Sequence, residues 1–230
     1  MKSSTLPQDE IDWNHYWSRA DSRKPSFYSV VASLYRRLLI GRQLRHFVKK
    51  YFAAAQGPIL HAGCGSGQVD RHIEDLIRPV SLDLSPSALA YHKKSSRSVR
   101  LCCGDILRLP VRDGSLAGIY NLGVMEHFDQ ASILTILEEF RRCLRDDGRI
   151  MLFWPPEFGL SVRFLDGLHF ILRDVLKQKI KLHPEEISRL QSRTQAQVLL
   201  SKGGFELVEY YFGPMDFFTQ AVIVAKKRLP

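Results

Sequence analysis

Between Gly57 and Pro156 the chain alternates short apolar runs with helical stretches, and this rhythm restricts the available folds more than any other feature. Ile59-Leu60-His61-Ala62, Val80 to Leu84, Val99 to Cys103, Leu116 to Leu122 and Arg149 to Trp154 read as five strands. A helix is expected after the first of them, through about Ile77. A second begins at Ser85-Pro86, with Ser85 as N-cap and Pro86 in the first helical position. A third runs from Ala131 to Leu144 and stops at Asp146-Asp147-Gly148. Strict strand–helix alternation over such a length argues for a parallel sheet covered on both faces.

The flanks follow other patterns. From Phe27 to Tyr51, apolar residues at helical spacing are interleaved with Arg and Lys, and Gly41 divides the segment into one kinked helix or two. Residues 157–182 form a second amphipathic, basic stretch, read as a helical insert after strand five. A helix or helix pair over 184–202 leads to Gly203-Gly204, and two last strands cover Phe205 to Phe212 and Phe217 to Ala225. The Gly213-Pro214 turn between them calls for an antiparallel pair. The division expected is an N-terminal helical cap over 1–56 and one α/β domain over 57–230.

Charge is distributed unevenly along this plan. Residues 1–56 hold ten Lys/Arg against four Asp/Glu, residues 57–156 hold twelve of each, and residues 157–230 hold eleven against eight. The net +9 therefore belongs to the flanks. Such a bias is a solvated face, or it attracts an acidic substrate or an anionic membrane surface, so peripheral membrane contact is one expectation. No apolar run approaches the roughly 20 residues of a membrane span. The polar N-terminus does not read as a signal peptide. Cys64, Cys102, Cys103 and Cys143 have neither disulfide-scaffold nor zinc spacing, so reduced thiols, a cytoplasmic location and no metal site are expected.

The chemistry centres on Gly63-Cys64-Gly65-Ser66-Gly67, which follows the first strand. Glycines let the chain turn sharply and bring bare backbone against a ligand. The spacing differs from the Gly-x-Gly-x-x-Gly of dinucleotide enzymes, which argues against a bound pyrophosphate. Asp83 ends the second strand, where a carboxylate can accept from both ribose hydroxyls; its bland role is to cap the next helix. Asp105 follows the third strand, where it can accept from an adenine amino group while Ile106 packs the ring. Its bland role is an Asx-turn. Glycines after strand one and acids after strands two and three converge at one edge of the sheet.

These residues resemble class I S-adenosylmethionine-dependent methyltransferases of the small-molecule group. Ile59 to Gly67 looks like the first motif, Ser81-Leu82-Asp83-Leu84-Ser85 the second, and Gly104-Asp105-Ile106 with Leu109-Pro110 the third. Asn121-Leu122-Gly123-Val124-Met125-Glu126-His127-Phe128 looks like the fourth. The resemblance implies a Rossmann-like three-layer sandwich whose seven strands run 3-2-1-4-5-7-6, the seventh antiparallel. It implies S-adenosylmethionine as cofactor, held by His61, Gly63, Cys64, Gly65, Gly67, Asp83, Leu84, Asp105, Ile106, Asn121, Leu122 and Gly123. Two positions depart from the family pattern, which usually has acids where this chain has His61 and Ala117. The first of those acids helps organise the methionine end of the cofactor; His61 can hydrogen-bond there but lacks a fixed negative charge.

Methyl transfer from a sulfonium needs the acceptor held in line and water excluded. His127, just past strand four, is the candidate base or acceptor-orienting residue, against a structural histidine as the plainer role. Trp154, Phe158 and Phe164 suit an apolar pocket wall, and Tyr16, Trp17 and Tyr28 are candidates to close over the site, by analogy with the family. The Asn/Asp-Pro-Pro-aromatic run of methyltransferases that act on base or glutamine amino groups is missing after strand four. A small, lipophilic or acidic acceptor is thus expected and a nucleic-acid partner is not. RNA or protein methyl transfer, and cofactor binding without catalysis, stand as alternatives.

Overall fold

The computed structural model describes residues 12–22, 34–95, 99–159 and 187–229. Tyr28, Phe164 and nearly all of the insert expected over 157–182 lie outside these residues. One seven-stranded sheet organises the rest: β1 (Ile59–Ala62), β2 (Val80–Asp83), β3 (Arg100–Cys103), β4 (Leu116–Leu122), β5 (Leu144–Trp154), β6 (Phe205–Tyr211) and β7 (Ala221–Lys227). Their order is β3-β2-β1-β4-β5-β7-β6, as the resemblance implies. Strands β1 to β5 pair in parallel, while β7 is antiparallel to both β5 and β6.

Alternation along the central strands sends successive side chains to opposite faces, so the sheet separates two cores. On one face Leu60, Ile119, Ile150, Leu152 and Ile223 pack with Ile133, Ile136, Leu137 and Phe140 of α4 (Gln130–Cys143) and with Ala196, Leu199 and Leu200 of α5 (Arg193–Lys202). On the other, Ile59, Tyr120, Met151, Phe153, Val222 and Val224 pack with Leu44, Phe47 and Val48 of α2 (Gly41–Tyr51). Part of the segment read as a cap is thus one of the layers covering the sheet. A short π-helical turn, Arg36–Ile40, precedes α2. Gly41 marks the junction because a Cβ there would lie 2.3 Å from the His72 ring.

The sheet departs from its sequence reading in three places. After the glycine turn there is no helix to Ile77, only a 3-10 turn, Asp70–His72, continued by further turns. Bonds such as Ile73 N–H to the Asp70 carbonyl span three residues rather than four, and the Asp70 side chain is drawn inward. The last strand starts at Ala221 rather than Phe217, because Phe217 and Phe218 adopt left-handed backbone (φ 57 and 58) in the β6–β7 connection. Strand β5 extends back to Leu144, past Asp146-Asp147-Gly148. The cap on α3 (Pro86–Ser95) is as read: Ser85 Oγ accepts from the Ala88 N–H at 3.1 Å.

The loop that carries Asp105 is fastened from behind by Arg142. Its guanidinium donates to the carbonyls of Leu109 and Val111 and to Asp113, and it pairs with Glu139. Glu139 in turn accepts from the Leu109 N–H at 2.8 Å. Arg142 holds the Glu139 carboxyl below its ordinary value of 4.5. A carboxylate depressed in the folded state stabilises above its unfolded pKa and loses that contribution as pH falls through the folded one. Arg142→Met is therefore expected to cost about 2 kcal/mol at neutral pH. Urea titrations should show the gap to the parent narrowing below about pH 4.5. An equal gap at every pH would detach Glu139 from this clamp.

Candidate functional site

The glycine turn sits where β1 ends, at the carboxyl edge of the parallel strands. Gly63, Gly65 and Gly67 all have positive φ, at 72, 51 and 59. Each lies close against a neighbour. A Cβ on Gly63 would fall 2.6 Å from Val124, one on Gly65 2.8 Å from Trp17, and one on Gly67 2.0 Å from His92. The turn is thereby fixed on three sides.

Asp83 is tied directly to this turn. One carboxyl oxygen accepts from the Gly65 N–H at 2.8 Å and the other from the Ser85 N–H at 2.9 Å. Asp83 as a whole is buried, at 8% exposed. Asp105 makes the Asx-turn considered for it, accepting from the Leu107 N–H at 2.8 Å. The local role leaves acceptor capacity free at both acids, since each carboxyl has about four acceptor directions. Leu84 is exposed between them, whereas Ile106 is buried in the core.

Cys64 is buried, and burial, with Asp83 and Asp70 adding to it, pushes its thiol far up, so it stays protonated and unreactive. At the end of β4, Asn121 is fully buried, and neither polar atom of its side chain has a partner among the described residues. Leu122 is half-buried and Gly123 exposed with φ 67. An amide left without partners beside the glycine turn is what a polar ligand would complete.

An aromatic strap crosses this edge. Helix α1 (Trp13–Ser22) places Trp17 on Gly65, and Tyr16 packs edge-on against both Trp13 and Trp17. Trp13 meets His127 with ring centroids 5.0 Å apart. Asn14 anchors the helix, accepting from Ser85 Oγ and the Ser87 N–H at the start of α3. Trp13 stands out in the sequence only as part of an aromatic cluster, and neither it nor Asn14 reads as a site residue there, because their roles depend on where α1 docks.

His127 is half-buried on a 3-10 turn, Met125–His127, at the same edge. Trp154 is not a pocket wall. It is 3% exposed in the core, and its indole N–H donates to the Ser188 carbonyl at 3.0 Å. Phe158 is exposed and lies edge-on to Phe212, which packs on Phe218.

His61 is buried on β1, with no access to bulk water, and its partners are protein groups. Its Nδ1 lies 2.9 Å from an Asp70 oxygen, and its ring stacks on Tyr120 of the neighbouring strand at 4.4 Å. The Tyr120 hydroxyl donates to the other Asp70 oxygen at 2.9 Å. Burial above all, with Asp70 next, holds the Tyr120 phenol well above its usual range, which keeps it a donor. His92 lies 3.8 Å from Asp70, and burial lowers its pKa, favouring the neutral ring.

Comparison with known proteins bears on this arrangement. Residues 60–152 match the family model described as a methyltransferase domain. An uncharacterized protein of Methanocaldococcus jannaschii is 28% identical over 114 residues, 50% of this chain and 48% of the relative. The probable S-adenosylmethionine-dependent methyltransferase of Mycolicibacterium smegmatis is 31% identical over 105 residues, 45% of this chain and 40% of the relative. These matches span less than half the length of either relative. Among solved structures, magnesium protoporphyrin IX methyltransferase from Synechocystis PCC 6803 with bound SAH superposes with a TM-score of 0.65. The superposition covers 93% of this chain and 94% of that one at 12% identity, and shows the shared fold.

Proposed function

We propose, on the premise that residues 60–152 form a class I S-adenosylmethionine-dependent methyltransferase domain, that the protein methylates a small, apolar or acidic acceptor. S-adenosylmethionine supplies an electrophilic methyl on a sulfonium when bound. The chain's own part is to bind, orient and exclude water. The observation that carries the reading is the direct bond between Asp83 and the Gly65 N–H. It couples the ribose-side acid to the glycine turn, so both present to one ligand at the carboxyl edge of the sheet.

Trp13, Tyr16 and Trp17 close the open side of that turn and exclude water from it. His127, packed on Trp13, is placed to orient an acceptor or take its proton. The aromatic group of Phe158, Phe212 and Phe218 stands at the same edge, beyond β5 and β6, and favours an apolar acceptor. The basic excess of the flanks favours an acidic one.

Calorimetry with S-adenosylhomocysteine tests the binding half. Trp17→Ala is expected to weaken that binding about tenfold, since it removes a large aromatic contact, with little change in thermal midpoint. Labelled methyl transfer into separated small-molecule, RNA and protein fractions tests the acceptor. Label recovered in RNA or protein would overturn the small-acceptor reading.

A further inference from the structure

The family pattern places an acid at the position of His61, and this chain has none there. The fold nevertheless brings a carboxylate to the base of the glycine turn. Asp70 is three residues past Gly67, and its N–H bonds to the Gly67 carbonyl at 3.1 Å. Its side chain, 7% exposed, turns inward beneath β1 and receives His61 and Tyr120 at 2.9 Å each. His92 closes the remaining side, with its ring filling the space beside Gly67. Every group in the cluster is buried, and the two flanking strands hold the stacked rings in register.

This geometry has a consequence for His61. The bond from Nδ1 to Asp70 fixes the plane of the imidazole and assigns its proton to the carboxylate side. The carboxylate charge then acts at the base of the turn through the ring, in the low-dielectric interior where screening is weak. We propose that Asp70 is a positioning residue that supplies, through His61 and Tyr120, the negative charge that organises the amino-acid end of bound S-adenosylmethionine. The acid has moved from the strand to the turn that follows the glycines. This inference rests on the cofactor reading above.

The test compares two ligands by calorimetry on the full chain. S-adenosylhomocysteine carries the amino-acid end; methylthioadenosine has the same adenine, ribose and thioether without it. In Asp70→Asn, S-adenosylhomocysteine affinity is expected to fall about tenfold or more, because a charge-assisted interaction is lost. Methylthioadenosine affinity is expected to change by less than about twofold, because ribose and adenine contacts remain. Adding His61→Asp to that variant returns a carboxylate to the strand and should restore the preference for S-adenosylhomocysteine.

Should Asp70→Asn fail to fold, Tyr120→Phe removes one hydroxyl and keeps the ring stack. It is expected to reduce the same preference about threefold, as one buried hydrogen bond to the carboxylate disappears. Equal weakening of both ligands, or no change in either, would overturn the proposal and leave a purely structural cluster. Failure of the parent protein to bind either ligand would instead overturn the cofactor reading itself.

Discussion

Asp83→Ala should abolish useful cofactor binding, lowering S-adenosylhomocysteine affinity about 100-fold or more, as charge-assisted bonds on both sides of the carboxyl vanish. The carboxyl has a role inside the protein and another toward the ligand. Inside, it satisfies the Gly65 and Ser85 N–H groups at 2.8 and 2.9 Å. Orphaning two largely buried donors costs about 1–3 kcal/mol each. For a chain of this size that lowers the thermal midpoint by roughly 4–12 °C. Toward the ligand, the role proposed for the same carboxyl is to accept from the ribose hydroxyls. Asp83→Asn separates the two roles, because its amide oxygen can still serve one of the backbone donors. It should recover part of the stability and little of the affinity. Calorimetry and thermal unfolding on the same samples check both. An alanine variant that binds S-adenosylhomocysteine normally would place the ligand away from the Asp83 edge.

Gly67→Ala should be the most damaging single change to the turn. Its φ of +59 costs a side-chain-bearing residue about 1–2 kcal/mol by itself. The added Cβ would also lie 2.0 Å from His92 Nε2, inside a fully buried ring with nowhere to retreat. Together these should cost about 3–5 kcal/mol. Gly114 provides an internal control: its φ is also +59, and a Cβ there would meet nothing within 4 Å. Gly114→Ala should therefore show the backbone cost alone. In a His92→Ala background Gly67→Ala should become milder by about 2 kcal/mol, the coupling expected of residues in contact. Chemical denaturation of the four proteins closes the cycle. Equal costs at Gly67 and Gly114 would mean that His92 does not wall the turn.

Much of the fold is legible in the sequence because its signals are local. The strand at Ile59–Ala62, the cap at Ser85-Pro86 and the antiparallel pair around Gly213-Pro214 each follow from a few adjacent residues. The helix read through Ile77 is a miss of the same local method. Asp70 fits a helical pattern, but its side chain is claimed by His61 and Tyr120, and the backbone there winds as a 3-10 turn. Trp154 reads as an apolar wall at a strand end, yet its indole N–H finds the Ser188 carbonyl and the ring joins the core. Phe217 reads as strand and instead adopts a left-handed turn.

The sequence by itself determined the alternating architecture, the glycine turn and the acids at the ends of strands two and three. These depend on side-chain period and backbone freedom, which short stretches carry. Only the tertiary structure decided what those residues touch. Asp83 reaches Gly65 across 18 positions, Asp70 reaches His61 across 9 and Tyr120 across 50, and α1 lays Trp17 on Gly65 from outside the sheet. Such contacts depend on which strands become neighbours and which helix docks on them. The missing acid at position 61 is visible in the chain; the carboxylate that stands beside it is visible only in the fold.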